Sequence, residues 1–246
     1  MTGVLGAIAS VAFAGLMVVA GYAATPLLLA GAVALAVLVL ALGWGALLDL
    51  PTRRGTGLVI ALVGVGGAEL AVRATTMTRP LAPFAALLAG SVLLAFGHQL
   101  LRRHGRPHLV ESVTGTVSGQ TVALLGGGWV LLPGTRLALP ALAVAAAATV
   151  VARIVAVLPV AERFAGWSSL VAGAAAGGFT GVMLDPPRAM PLLAVGVVVA
   201  AVVAGLDRLL LTLASSRRSV PGTLAAAAAP VLVVGTVAYA VARLVG

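Results

Sequence analysis

The chain has 246 residues, of which 61% are hydrophobic and only 9% are charged, and its mean hydropathy is +1.19. Soluble domains are about half apolar and a quarter charged, so these values exclude a water-soluble fold and indicate a polytopic membrane protein. All 15 basic residues are arginines, scattered between apolar segments. The net charge of +9 therefore predicts anionic lipid headgroups as partners and not nucleic acid.

Nine apolar segments follow one another, each near the roughly 20 residues that a helix needs to cross the hydrocarbon core. Stretches with proline or glycine separate them. Aromatic residues are scarce and the segments do not alternate polar with apolar residues, so a barrel is disfavoured and a single transmembrane domain, an all-α helix bundle over 1–246, is predicted. The predicted spans are 3–20, 27–48, 56–72, 83–101, 110–132, 137–158, 167–184, 191–213 and 223–245.

The first span also has features of a signal peptide, because small residues at 20–24 could be a cleavage site. No basic region precedes it, and we expect a retained helix.

Arginine distribution predicts the orientation. Ten of the 15 arginines lie at the ends and loops that follow even-numbered spans, and five lie on the other side. The arginine-rich side is expected to be cytoplasmic, which places the N-terminus inside and the C-terminus outside. The Ala-, Gly- and Arg-rich composition is typical of a GC-rich bacterial genome, so the expected location is a bacterial plasma membrane.

The sequence also carries signs of an internal duplication. A shift of 108 residues aligns Pro83 with Pro191, and Leu-Pro pairs close the first helix of both halves. If the duplication is real, 27–132 and 137–245 are two parallel four-helix repeats and the first span is an addition. The alternative is that Ala, Val, Leu and Gly align by composition alone.

Small residues four apart predict close helix contacts within the bundle, or in a homo-oligomer. They occur on spans five and seven: Gly115, Gly119, Gly173, Gly177 and Gly181.

Span five is the most polar. Its residues Glu111, Thr114, Ser118 and Thr121 fall on one helix face, and Ser112, Thr116 and Gln120 fall on a neighbouring face. We expect this strip to face the bundle interior, as interhelical hydrogen bonds or as the wall of a wet cavity.

Other charged residues cluster toward the expected cytoplasmic side. His98 and Asp207 could join Glu111 in a site for a proton or an anionic headgroup, because charges inside a bilayer are costly and often functional. The alternative is a ring of charges that only sets topology. Headgroup contacts are predicted for the loop arginines Arg102, Arg103, Arg106, Arg217 and Arg218.

Enzyme signatures are missing. The chain has no cysteine, no His-Glu-x-x-His, no paired aspartates and no histidine after Ser118. We therefore expect no enzymatic activity, metal site or cofactor. The leading hypothesis is a permease-like transporter of a small or lipid-like solute; the alternatives are a structural or assembly subunit of a cell-envelope complex and, third, a lipid-modifying enzyme.

The predicted topology can be tested with reporter fusions placed after Arg54, Arg106 and Arg218. All three should report the cytoplasm, because each follows an even-numbered span on the arginine-rich side. A periplasmic signal from the fusion after Arg106 would contradict both the orientation and the number of spans.

Overall fold

The computed structural model describes residues 2–23, 25–100, 109–159, 162–213 and 219–246, and this part of the chain contains no strand. Nine helices have 17 or more residues, and a tenth, α6, has five. Their bounds are α1 Thr2–Tyr22, α2 Pro26–Leu47, α3 Arg53–Ala74, α4 Ala82–Leu100, α5 Leu109–Leu125, α6 Gly127–Leu131, α7 Ala138–Val155, α8 Glu162–Leu184, α9 Ala189–Leu213 and α10 Val220–Val245.

The helical membrane bundle predicted from the sequence is confirmed. Eight helices of the described chain are long and apolar enough to cross a membrane. The fifth predicted span differs, because it is divided into α5 and α6 at Gly126. With 17 residues, α5 is at the lower limit of spanning length.

The break after α5 has an identifiable cause in its contacts with α10. The hydroxyl of Thr236 donates a hydrogen bond of 2.6 Å to the carbonyl of Leu125. A Cβ at Gly128 would lie 2.2 Å from the backbone nitrogen of Thr236, so only glycine permits this approach. Trp129, which is fully buried, donates its indole N–H to the carbonyl of Val231 at 2.7 Å. Thus α6 is fixed against α10.

The helices pack mainly antiparallel. At one end of α1, Gly3 lies against Val157, just after the end of α7, and at the other end Gly21 lies against Leu142 of α7. We call the end of the bundle where α1 begins the N-terminal end. The helices α1, α2 and α10 pack against one another, with α3, α4 and α5 on one side of them and α7, α8 and α9 on the other.

Glycines set the closest of these approaches. A Cβ at Gly43 of α2 would lie 1.9 Å from the carbonyl oxygen of Pro221 at the start of α10. On α8, a Cβ at Gly177 would lie 2.8 Å from the α-carbon of Gly196, and Gly173 and Gly181 make similar contacts with Ala200 and Leu192. In lipid such close packing stabilises helix association in place of the hydrophobic effect.

The turn after α2 shows how the Leu50–Pro51 pair ends a helix. Asp49 adopts a left-handed conformation with φ of 53°, and Leu50 donates its N–H to the carbonyl of Gly45 at 2.8 Å. This is the Schellman arrangement, and Pro51 follows where the helix could not continue. Leu50 is buried, and its side chain packs against Gly115 of α5, 2.9 Å from where a Cβ would be placed.

The proposed repeats differ in their helix neighbours. In the described chain α3 packs against α5, whereas the corresponding α8 has no comparable contact with α10. Likewise α7 packs against α9, whereas α2 has no comparable contact with α4. The duplication stays a prediction, which a superposition of the two halves would test.

Replacing Gly43 with Ala should destabilise the protein. The added methyl would strike backbone, so α2 and α10 must separate, at a cost of about 1–3 kcal/mol typical of overpacking. Thermal unfolding in detergent would measure the loss. Gly31→Ala, on the same helix with no neighbour within 4 Å of the added Cβ, is the matched control and should be neutral or stabilising. Equal unfolding temperatures for the two variants would contradict the assigned contact.

Candidate functional site

The buried polar residues of α5 hold helices together. Ser112, Thr116 and Gln120 are fully buried. The Thr116 and Thr56 hydroxyls lie 3.3 Å apart across the α3–α5 contact, and the Gln120 amide donates to the carbonyl of Ser91 on α4 at 3.1 Å. These contacts agree with the interhelical hydrogen bonds expected for this face.

The other polar face of α5 corrects the prediction of an interior strip. Glu111, Thr114 and Ser118 are exposed and Thr121 is only half-buried. The three hydroxyls return their hydrogen bonds to their own helix, as Thr114 does to Val110 and Thr121 does to Val117. A hydroxyl bonded in this way tolerates an exposed position in a membrane helix.

Gly115 and Gly119 decide which face of α5 turns inward. A Cβ at Gly119 would lie 2.4 Å from Ile60 and 2.7 Å from Trp44. The Trp44 indole donates to the carbonyl of Gly115 at 2.7 Å. Because the glycines and the Ser112 face lie on the same side, the Glu111 face points outward.

The structure does not bring the three expected charged residues together. The imidazole of His98 packs against Gly55 of α3. Glu111 is on α5, whereas Asp207 is on α9, which packs against α7, α8 and α10. Asp207 instead meets Arg153 of α7. The loop arginines predicted to contact headgroups lie outside the described residues, so that prediction remains open.

A cavity of about 410 Å³ opens at the N-terminal end of the bundle. It lies among α1, α7, α9 and α10 and is closed on one side by Leu47 of α2. Most of its wall is apolar or glycine. Arg153 and Asp207 are the only charged residues that line it in the described part of the chain.

Arg153 and Asp207 form an ion pair in the wall of this cavity. Their side chains are 13% and 11% exposed, and Arg153 Nη1 donates to Asp207 Oδ1. Desolvating two charges is costly, so the pair is stable only with good geometry and further hydrogen bonds. Arg153 supplies one of these, from Nε to the Ser10 hydroxyl at 3.0 Å.

Ser10 extends the network to a fourth helix. This fully buried residue of α1 donates its hydroxyl to the carbonyl of Ala227 on α10 at 3.0 Å. Three residues further along α10 is Pro230, which has no N–H for the carbonyl of Ala226. One chain of polar contacts therefore joins α9, α7, α1 and α10 beside the cavity.

The sequence identified Asp207 as a candidate but gave no reason to pair it with Arg153. Arg153 is one of the ten arginines on the side predicted to be cytoplasmic, and it lies inside the apolar helix α7. The available signal was a pair of opposite charges, each inside an apolar helix. Both lie in the part of their helix that is nearer the N-terminal end of the bundle. Which helices are neighbours could not be deduced from spacing.

Comparison with known proteins gives no further assignment: no protein-family model, curated protein or solved structure matches this chain. Among the described residues, no three His, Asp or Glu side chains are grouped so as to hold a metal ion.

Replacing Arg153 with Gln should strongly destabilise the fold, because Asp207 would remain buried without its cation. The expected loss is about 3–5 kcal/mol, measured by unfolding in mixed micelles. The double variant R153Q/D207N removes both charges and should recover most of the lost stability. Arg73→Gln, which breaks the exposed Glu69–Arg73 pair of 3.2 Å, is the control and should cost about 1 kcal/mol or less. Equal losses of stability for Arg153→Gln and Arg73→Gln would show that breaking the buried pair costs no more than breaking an exposed one.

Proposed function

We propose that this multi-pass membrane protein is a permease-like transporter of a small or lipid-like solute, and that the cavity among α1, α7, α9 and α10 is its solute site. The observation that carries the proposal is the Arg153–Asp207 pair in the cavity wall. Ionisable residues within membrane helices usually line the path of an ion or a substrate.

The size and lining of the cavity support this proposal. A volume of about 410 Å³ is within the range of small-molecule sites, which combine apolar walls with a few placed polar groups. Toward the opposite end of the bundle, the helices around the cavity are tightly packed, since Ala14 and Met17 of α1, Leu142 of α7 and Val231 of α10 are fully buried. Transport would require these helices to separate there while the N-terminal end closes.

We further propose a bacterial plasma membrane as the location, with the N-terminus in the cytoplasm. The cavity then opens to the cytoplasm, on the arginine-rich side that also contacts anionic headgroups. The proposed role involves no chemical conversion of the solute and no cofactor.

The alternative is a structural or assembly subunit of a cell-envelope complex. It is favoured by α4, the least buried of the spanning helices. Leu93, Leu94 and Phe96 of this helix are exposed, and the positions of Gly90 and Gly97 have no neighbour within 4 Å. A partner helix could pack there. A scaffold of this kind would have no need to expose its cavity to both sides of the membrane.

Single-cysteine variants can decide between these roles, because the natural chain has no cysteine. Ala226→Cys places a thiol in the cavity wall, and Met77→Cys places an exposed thiol at the opposite end of the bundle. Both would be treated with a membrane-impermeant maleimide, in right-side-out and in inverted vesicles.

A transporter opens its site to each side in turn, so Ala226→Cys should react from both sides, faster from the side onto which the cavity opens. Met77→Cys should react from one side only. If Ala226→Cys reacts from one side only, as Met77→Cys does, the transport proposal is wrong and the scaffold is favoured.

A further inference from the structure

We infer that the cavity binds an amphipathic anion, a ligand with one carboxylate or phosphate group bound by Arg153 and a short apolar body against the cavity walls. The inference rests on the proposed function, since it names the class of solute for the same site, but the binding it predicts can be tested without transport.

The hydrogen bonds of Arg153 leave one side of its guanidinium open. Nε donates to Ser10 and Nη1 donates to Asp207, whereas Nη2 has no partner in the described chain. Nη2 keeps some solvent-accessible surface, and Arg153 is one of the residues that line the cavity. It also lies in ordinary contact with the position of Gly6, where the missing side chain keeps the approach open.

A guanidinium held in this way is preorganised for an anion. Arg presents its N–H groups in a fixed plane that matches carboxylate and phosphate oxygens. Ser10 and Asp207 fix that plane from two sides, so little side-chain freedom is lost when a ligand binds. Because Asp207 neutralises Arg153 in the empty site, the open Nη2 need not be hydrated as an isolated charge.

Asp207 does not offer the same opportunity to a cation. Its Oδ1 is occupied by Arg153, and its Oδ2 is buried and makes no hydrogen bond. No other acidic residue of the described chain lines the cavity. The accessible polar group is therefore an N–H donor of the guanidinium, which suits an anion and not an ammonium ligand.

The walls define the rest of the ligand. Val4, Leu47, Val157, Leu210 and Leu211 line the cavity around the ion pair. A small inorganic anion would leave these surfaces without a partner, whereas an alkyl chain would cover them. Each added CH₂ should tighten binding about fourfold, as long as it covers apolar wall surface that is still exposed.

The test uses the full-length protein in phosphatidylcholine nanodiscs at neutral pH, with binding measured by calorimetry and empty nanodiscs subtracted. Hexanoate is the probe. Hexanol and hexylamine have the same chain with a neutral and a cationic group, acetate has the same charge without the chain, and hexyl phosphate tests the second anionic group.

We expect hexanoate to bind at least about tenfold more tightly than hexanol or hexylamine, because charge-assisted hydrogen bonds to Arg153 are added. Acetate lacks four of the CH₂ groups of hexanoate and should bind about 250-fold more weakly, about fourfold for each group. In R153Q/D207N the preference for hexanoate over hexanol should disappear, while unchanged hexanol binding shows that the cavity is intact. The matched control E69Q/R73Q removes an exposed ion pair elsewhere and should bind hexanoate as the wild type does.

Equal binding of hexanoate and hexanol by the wild type, or full hexanoate preference in R153Q/D207N, would overturn the inference. Ala226→Leu, which fills the cavity, should weaken hexanoate and hexanol alike, and no change in either would show that they bind elsewhere. Nanodiscs that also contain phosphatidylglycerol distinguish the source of the ligand. Weaker hexanoate binding there assigns the site to a bilayer lipid, and unchanged binding assigns it to a free amphiphile.

Transport and binding can fail separately. Hexanoate that binds but enters proteoliposomes no faster than protein-free liposomes would end the transport proposal and leave the anion site in place. Failure to bind any anion, with Ala226→Cys still reactive from both sides, would end the present inference and leave transport in place.

Discussion

Close approach of helix backbones at glycine is the constraint on which this bundle depends. Burying one apolar helix against another gains little in a solvent that is itself apolar, so association relies on contact area and on hydrogen bonds. Gly43 against Pro221, Gly128 against Thr236 and Gly177 against Gly196 bring backbones nearer than any side chain would allow. These contacts fix α2 and α6 against α10 and fix α8 against α9.

Backbone proximity then makes a second kind of contact possible, in which a side chain of one helix donates to a carbonyl of another. Trp44 reaches Gly115, Trp129 reaches Val231 and Gln120 reaches Ser91. A donor buried in lipid without a partner costs several kcal/mol, so each of these bonds specifies which helices are neighbours as well as stabilising them. The indole groups serve this role well because they combine a large apolar surface with one donor.

The class of fold was predictable because hydropathy and segment length are properties of short stretches of sequence. Helix ends at Leu50–Pro51 and the packing role of Gly173 and Gly177 also follow from local chemistry. The inward face of α5 did not follow, because Thr114 and Ser118 can satisfy their hydroxyls within their own helix, and only the contacts of Gly115 and Gly119 with Trp44 and Ile60 decide the rotation.

For a related reason, only one of the two charged residues of the candidate site could be predicted from the sequence. A charge inside an apolar helix, such as Asp207, is visible in the sequence, but its partner is chosen by tertiary packing. The proximity of α7 and α9 brings Arg153 to it, and the two residues are 54 positions apart in the chain.

The hydroxyl of Ser10 has a mechanical consequence. It accepts from Arg153 and donates to Ala227, just ahead of the proline that interrupts the hydrogen-bond ladder of α10. The proline-containing turn of α10 and the guanidinium in the cavity are thus joined by one oxygen atom. A displacement of the guanidinium that keeps both hydrogen bonds must therefore also move α10 beside Pro230, where the helix lacks one backbone hydrogen bond. Pro230 lies between two hydrogen-bonded carbonyls of α10, because Ser10 donates to Ala227 before it and Trp129 donates to Val231 after it.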